Sequence, residues 1–272
     1  MKRGQIIKYY DEINDDFAGT NINPKEIKDD FNYFKDNSLL WRVCALFVYY
    51  IIAKPIVAIW MLLFRRYRIK NKRVLKRLPK RGGYFIYANH TNLLGDAFMP
   101  NILTWRKNHI ITSPDATSIP FLGNLVMMLG AIPLPATNIA RKNFFKYIET
   151  RIKAGRTITI YPEAHIWPYY TKIRNFPSKS FHFPIKYHAP CIVLTSCYTK
   201  RIGLFGKLKK PKLTLYLDGP FYPDYNLSLK EAKEKLRNQV YRTMVYRSNK
   251  YSNFEYYKYV KTDNPDDITV YK

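Results

Sequence analysis

From about residue 80 onward the apolar positions fall into short runs separated by polar and glycine-containing breaks. Tyr84–Ala88, His109–Thr112, Thr157–Tyr161, Cys191–Ser196 and Leu213–Leu217 are rich in β-branched and aromatic residues and read as strands. Helical patterns lie between and after them, over Asp96–Thr104, Phe121–Leu129, Arg141–Lys153 and Ser228 to about Tyr246. The last opens on Ser228-x-x-Glu231, a capping box in which each side chain satisfies the other residue's free backbone N–H. Strand and helix alternating in this way predict an α/β fold with a mostly parallel central sheet flanked by helices. In such sheets ligands bind beyond the carboxyl ends of the strands.

Upstream the pattern changes. Leu39 to Phe64 is the most apolar stretch of the chain. A bilayer takes roughly 20 apolar residues to cross. Arg42 lies near the start of the stretch, however, and Lys54-Pro55 divides it. Proline removes a backbone donor and disfavours helix at the residue before it. A lysine at mid-bilayer is costly. The expectation is therefore a kinked helix or helical hairpin seated in one leaflet, with Trp41, Tyr49, Tyr50 and Trp60 at the interface. A spanning helix and a buried core helix are the alternatives. The stretch begins too far into the chain for a secretory signal and has no small-residue cleavage site.

Charge sharpens this reading. The 272 residues hold 46 Lys+Arg against 20 Asp+Glu, a net charge of +26, so the surface should attract anions. The densest basic block, Arg65 to Arg81, follows the apolar stretch directly and suits anionic head groups on a cytoplasmic membrane face. The chain thus divides into a polar segment (1–38), a membrane-associated helical motif with its basic flank (39–81), an α/β domain (82–248) and a polar extension (249–272). The apolar content, 47%, excludes a disordered polymer. Three cysteines without a CxxC pair exclude a disulfide scaffold and suit a reducing compartment. No Cys/His grouping has metal-site spacing, so no metal is expected.

The candidate chemistry sits at strand ends. Strand 84–88 runs into Asn89-His90-Thr91-Asn92-Leu93-Leu94-Gly95-Asp96. An imidazole titrates near neutrality, and a carboxylate on one ring nitrogen leaves the other free to take a proton from a hydroxyl. Strand 157–161 leads likewise into Pro162-Glu163-Ala164-His165. Between them Arg141-Lys142 falls near a helix start, where cations and free amides favour phosphate. A base, a carboxylate and a phosphate clamp describe acyl transfer to a phosphorylated alcohol.

These motifs resemble the glycerolipid acyltransferases of the lysophosphatidic acid acyltransferase type. Asn89-His90 to Asp96 is similar to that family's Asn-His-x4-Asp motif. Gly130 through Arg141 resembles its second motif, Tyr161-Pro162-Glu163-Ala164-His165 its Phe-Pro-Glu-Gly-Thr motif, and Ala189-Pro190-Cys191-Ile192-Val193 its fourth. The resemblance covers about residues 80–200 and extends to the apolar segment before the first motif. It implies a glycerol-phosphate acyltransferase-like fold with His90 as general base and Asp96 orienting it. It further implies Arg141 on the acceptor phosphate, Glu163 beside the glycerol portion, and Asn89 and His165 among the substrate-binding residues. Lys172 and Arg174 are phosphate-side candidates by position, with a solvated surface as the alternative. The implied reaction moves an acyl group from acyl-CoA or acyl carrier protein, as co-substrate, to lysophosphatidic acid, giving phosphatidic acid in phospholipid biosynthesis. No further cofactor is implied.

Two departures bear on the site. Five residues, not four, separate His90 from Asp96. Six steps at about 100° leave the pair roughly 240° apart around a helix, so it must bridge a turn, with Gly95 a place for local distortion. Ala164-His165 replaces Gly-Thr beside the acceptor. Glycerol 3-phosphate and other lysophospholipids remain alternative acceptors. A basic nucleic-acid-binding protein or a non-catalytic membrane-surface protein remains the alternative class. The first has against it an apolar segment that nucleic-acid binding does not need.

Overall fold

A computed structural model describes residues 3–17, 25–62, 67–119, 122–202 and 210–269. Leu63 to Arg66, within the apolar stretch and its basic flank, and Phe121 of a predicted helix lie outside them. The strands are β1 (Ile6–Tyr9), β2 (Arg68–Lys70), β3 (Tyr84–Ala88), β4 (Asn108–Thr112), β5 (Ala131–Pro133), β6 (Thr157–Ile160), β7 (Cys191–Thr199), β8 (Lys212–Phe221) and β9 (Lys258–Lys261). The helices are α1 (Leu39–Leu46), α2 (Lys54–Trp60), α3 (Gly95–Phe98), α4 (Asp115–Ser118), α5 (Gly123–Met128), α6 (Asn138–Lys153), α7 (His182–Lys186) and α8 (Leu229–Tyr251).

The main sheet has the order β2-β8-β7-β3-β6-β4-β5. Strands β7, β3, β6, β4 and β5 are mutually parallel, so their carboxyl ends share one edge. Strand β8 runs antiparallel to β7, and β2 lies parallel to β8. All five residues of the central strand β3 are buried, as expected for a strand covered on both faces. Alternate residues serve the two layers. Phe85 and Tyr87 pack with Phe144 and Ile148 of α6 and with Leu236, Val240 and Met244 of α8. Tyr84, Ile86 and Ala88 face a second cluster containing Val57 of α2, Met61, Met99 and Leu103.

The apolar N-terminal stretch is one continuous helix, Leu39–Trp60, rather than a hairpin. Proline at position 55 cannot donate to the carbonyl four residues back and its ring crowds that carbonyl. A π-helical turn over Phe47–Ala53, between α1 and α2, absorbs the conflict, with Lys54 N–H donating to Tyr49 O five residues back. Lys54 itself turns inward. Its Nζ donates to Thr104 O at 2.5 Å and lies 4.7 Å from the centre of the Trp105 ring. The opposite side exposes Leu40, Val43, Phe47, Ile51, Ile56 and Ile59.

The polar ends of the chain meet. Strands β1 and β9 pair in parallel as a separate two-stranded sheet. Phe17 and Tyr259 pack on the fully buried Trp167, Tyr259 stacking on it at 5.1 Å. The tail after residue 248, read from its polarity as an extension, therefore first completes α8 and then supplies a strand. The Ser228–Glu231 capping box opens α8.

Candidate active site

His90 leaves the carboxyl end of β3, and Asp96 lies in the first turn of α3. The intervening turn brings His90 Nδ1 to 2.9 Å from Asp96 Oδ2. The same oxygen accepts from Thr91 N–H at 2.8 Å and Asn92 N–H at 2.9 Å. Asn92 O takes Asp96 N–H at 2.8 Å, so the extra residue is absorbed in a tight hydrogen-bonded turn. Gly95 serves differently from the local distortion expected of it. It lies in α3, and an added Cβ would stand 2.3 Å from Asn92 Nδ2, a close approach only glycine permits. An ionised Asp96 accepting from Nδ1–H leaves Nε2 as the basic nitrogen. His90 Nε2 has no hydrogen-bond partner among the described residues, and the side chain is 17% exposed.

Strand β6, adjacent to β3, delivers the second motif. Glu163 is buried, with Oε2 accepting from His90 N–H at 2.9 Å and Oε1 from Arg174 N–H at 3.1 Å. Arg174 Nη2 lies 3.4 Å from Oε2. Burial pushes the Glu163 carboxyl up, against the pull of Arg174 and the two N–H donors. Both Glu163 oxygens are thus turned toward protein groups, so the carboxylate braces the His90 turn. Arg174 is only 1% exposed, which corrects the solvated-surface alternative. Its guanidinium donates to His165 O and to Glu12 O and lies 4.8 Å from the Trp167 ring centre. Lys172 is exposed.

Asn89 is buried and holds β3 to β7, its Oδ1 accepting from Ser196 N–H at 2.8 Å and its Nδ2 donating to Ser196 O at 3.2 Å. His165 is partly exposed, its Nδ1 3.7 Å from Asp16 Oδ2. Arg141 lies exposed in the first turn of α6, which Thr137 caps by accepting from Ala140 N–H. Strand β5, before that helix, is three positions from β3, or roughly 14 Å at the usual strand spacing. Arg141 therefore stands on the same edge as His90 but apart from it.

Ala164 has φ 64°, the left-handed region that favours glycine, at the position where the resembled motif has glycine. Ala164→Gly is expected to raise stability by about 0.5–1 kcal/mol, relief of this strain exceeding the added chain entropy. A lowered urea midpoint would show that the alanine is tolerated without strain.

Sequence reasoning named Tyr161 only as part of a motif. Its ring stacks on the His90 imidazole with centroids 4.3 Å apart and planes 21° apart. The tyrosine in place of the motif's phenylalanine was the available signal. Thr91 and Asn92 act through backbone N–H groups, for which side-chain chemistry gives no signal.

A model of the Acyltransferase family matches residues 68–199, the span that holds β2 through β7 and both motifs. Residues 68–199 are an acyltransferase-family domain. No curated protein matches the chain. Among solved structures, the crystal structure of the 1-acyl-sn-glycerophosphate (LPA) acyltransferase PlsC from Thermotoga maritima is similar over 80% of this chain and 99% of that one, with 18% identity and a TM-score of 0.48. Within this acyltransferase domain the His90–Asp96 pair lies at the central strand's end, and the apolar helix Leu39–Trp60 precedes the domain in sequence.

Proposed function

We propose that the chain acylates the free hydroxyl of 1-acylglycerol 3-phosphate, using acyl-CoA or acyl carrier protein as thioester donor and giving phosphatidic acid. The observation that carries this reading is the His90 Nδ1–Asp96 contact at 2.9 Å with Nε2 left open. His90 Nε2 takes the hydroxyl proton as the acceptor oxygen attacks the thioester carbonyl carbon. The resulting imidazolium is held by Asp96. When the carbon–sulfur bond breaks, the leaving thiolate takes the proton back from Nε2, so no acyl-enzyme is needed. Arg141, exposed on the same edge, receives the acceptor phosphate, with Lys172 as a second exposed cation. Asn89, Glu163 and Arg174 act by holding the turn that carries His90, and His165 borders the acceptor side.

The substrate class agrees with the helix Leu39–Trp60, which is long and apolar enough to cross a membrane by length and composition. Its exposed stripe, together with Trp105 at 81% exposure and Leu94 beside the catalytic turn, supports a seat in the cytoplasmic leaflet of the cell membrane. Lys54 gives no obstacle there, because its ammonium is turned onto Thr104 O. Lysine and arginine from Arg68 to Arg81 lie beyond the helix and meet anionic lipid, while buried Val74 and Leu78 anchor that run to the core.

A labelled-acyl transfer assay decides the matter. The purified protein in vesicles is offered each donor with lysophosphatidate, glycerol 3-phosphate or a larger-headed lysolipid. Label entering phosphatidic acid is the expected result. Transfer to glycerol 3-phosphate alone would reassign the acceptor, and no transfer to any of them would remove the enzymatic reading.

A further inference from the structure

The Asp96 main chain shows how the catalytic pair is kept in register. In a continuing helix the carbonyl of residue 96 would accept the N–H of residue 100. Residue 100 is Pro100, which has no N–H, so that carbonyl loses its ordinary partner just where α3 ends. The Tyr161 hydroxyl fills the gap, donating to Asp96 O at 2.5 Å. The same tyrosine lays its ring against the His90 imidazole at 4.3 Å. One side chain from β6's carboxyl end thus touches both members of the pair. Neither contact duplicates those of Glu163, which reaches only the backbone N–H of His90.

We propose that Tyr161 is a positioning residue of the reaction, its hydroxyl anchoring Asp96 through the carbonyl that Pro100 leaves without a donor and its ring supporting the imidazolium that forms on His90. This rests on the reading of His90 as general base given above. Burial holds the phenol well above its usual range, so the hydroxyl remains a donor at any working pH. The ring's negative face attracts the imidazolium more than the neutral imidazole, which favours the protonated form produced in the transfer step. The device draws on two features of this sequence. It pairs the five-residue His90–Asp96 spacing with Pro100, and it uses a tyrosine where the resembled motif has phenylalanine.

Three variants separate the two contacts. Tyr161→Phe keeps the ring and loses the hydroxyl. It should lower kcat by about 5- to 10-fold, the value of one hydrogen bond, with the acceptor KM unchanged within about twofold. Tyr161→Leu loses both, and should also move the acid limb of kcat/KM to lower pH by about half a unit, which Tyr161→Phe does not. Pro100→Ala restores a backbone N–H at residue 100. It should recover most of the kcat lost in Tyr161→Phe while changing wild-type kcat little, a rescue that a merely structural loss would not show. A Tyr161→Phe enzyme with wild-type kcat, or a Tyr161→Leu enzyme with an unmoved acid limb, overturns the proposal. If wild-type protein transfers no acyl group, the reading of the site has failed instead. The 15N spectrum of the His90 ring then still decides on Tyr161, since it needs no substrate. A single Nδ1–H tautomer in wild type and a mixture in Tyr161→Phe supports the anchor, and one tautomer in both removes it.

Discussion

Replacing His90 by alanine should lower kcat/KM for acyl transfer by about 100- to 10,000-fold, the span that a positioned general base contributes. The loss should fall on kcat, because the imidazole acts on the proton rather than on the bulk of the acceptor. The fold should survive. His90 belongs to neither of the two clusters that pack against the main sheet, and its backbone N–H, which alanine retains, makes the bond to Glu163. Asp96→Asn should follow with a smaller but still large loss. Oδ2 of Asp96 accepts from Thr91 N–H, Asn92 N–H and His90 Nδ1 together. An asparagine whose oxygen takes the Oδ2 place can keep all three donors, but it has lost the negative charge that holds the imidazolium. The measurement is the single-turnover rate of label transfer from thioester to lysophosphatidate, beside a thermal melt of each variant. A His90→Ala protein that melts like wild type and turns over within tenfold of it would end the assignment of the base.

The second large effect is on stability. Arg174→Met should cost about 3–5 kcal/mol, the usual penalty for removing one partner of a buried ion pair. With total stabilities of about 5–15 kcal/mol, that is a large fraction of what the fold has. Three acceptors lose a donor at once, namely Glu163 Oε2, His165 O and Glu12 O. Glu163 would keep its two backbone N–H donors but remain a buried carboxylate without a counter-charge. Arg174→Met with Glu163→Gln should therefore be less destabilised than the sum of the two single variants, because the neutral amide no longer needs the guanidinium. Urea unfolding monitored by tryptophan fluorescence is apt, since Trp167 lies against the Arg174 guanidinium. A midpoint shift corresponding to under 1 kcal/mol for Arg174→Met would show the pair to be dispensable.

Much of this arrangement was legible before any coordinates. Strand β3 was readable because Tyr-Phe-Ile-Tyr-Ala is a short apolar run with β-type residues, and it ends where the polar Asn-His begins. The capping box at Ser228 was readable because its geometry depends on four consecutive residues. The pairing of His90 with Asp96 could be anticipated from their chemistry, but not the three donors that converge on Oδ2. Arg174 was named by position as a phosphate-side candidate, but its burial was not legible. Tyr-Thr-Lys-Ile-Arg-Asn reads locally as a solvated stretch, and the groups that compensate the buried guanidinium come from residues as distant as Glu12. At Lys54-Pro55 the helix carries a π-helical turn, because the bond that proline cannot make is replaced by one reaching five residues back, from Lys54 N–H to Tyr49 O.

What the chain alone determined is whatever depends on neighbours within a few residues: where the central strands β3, β4, β6, β7 and β8 and the longer helices fall, the apolar run from Leu39 to Phe64, the basic block after it, and the residue types able to move a proton. The tertiary structure decided which strand lies beside which, and that the two chain ends meet over Trp167. It also decided that Glu163 and Arg174 face inward and that Tyr161 takes the place of the amide Pro100 lacks. The reason is physical. Periodicity and side-chain chemistry are local properties, whereas the compensation of a buried charge or an unpartnered carbonyl is supplied by whatever group the fold carries there from elsewhere in the chain.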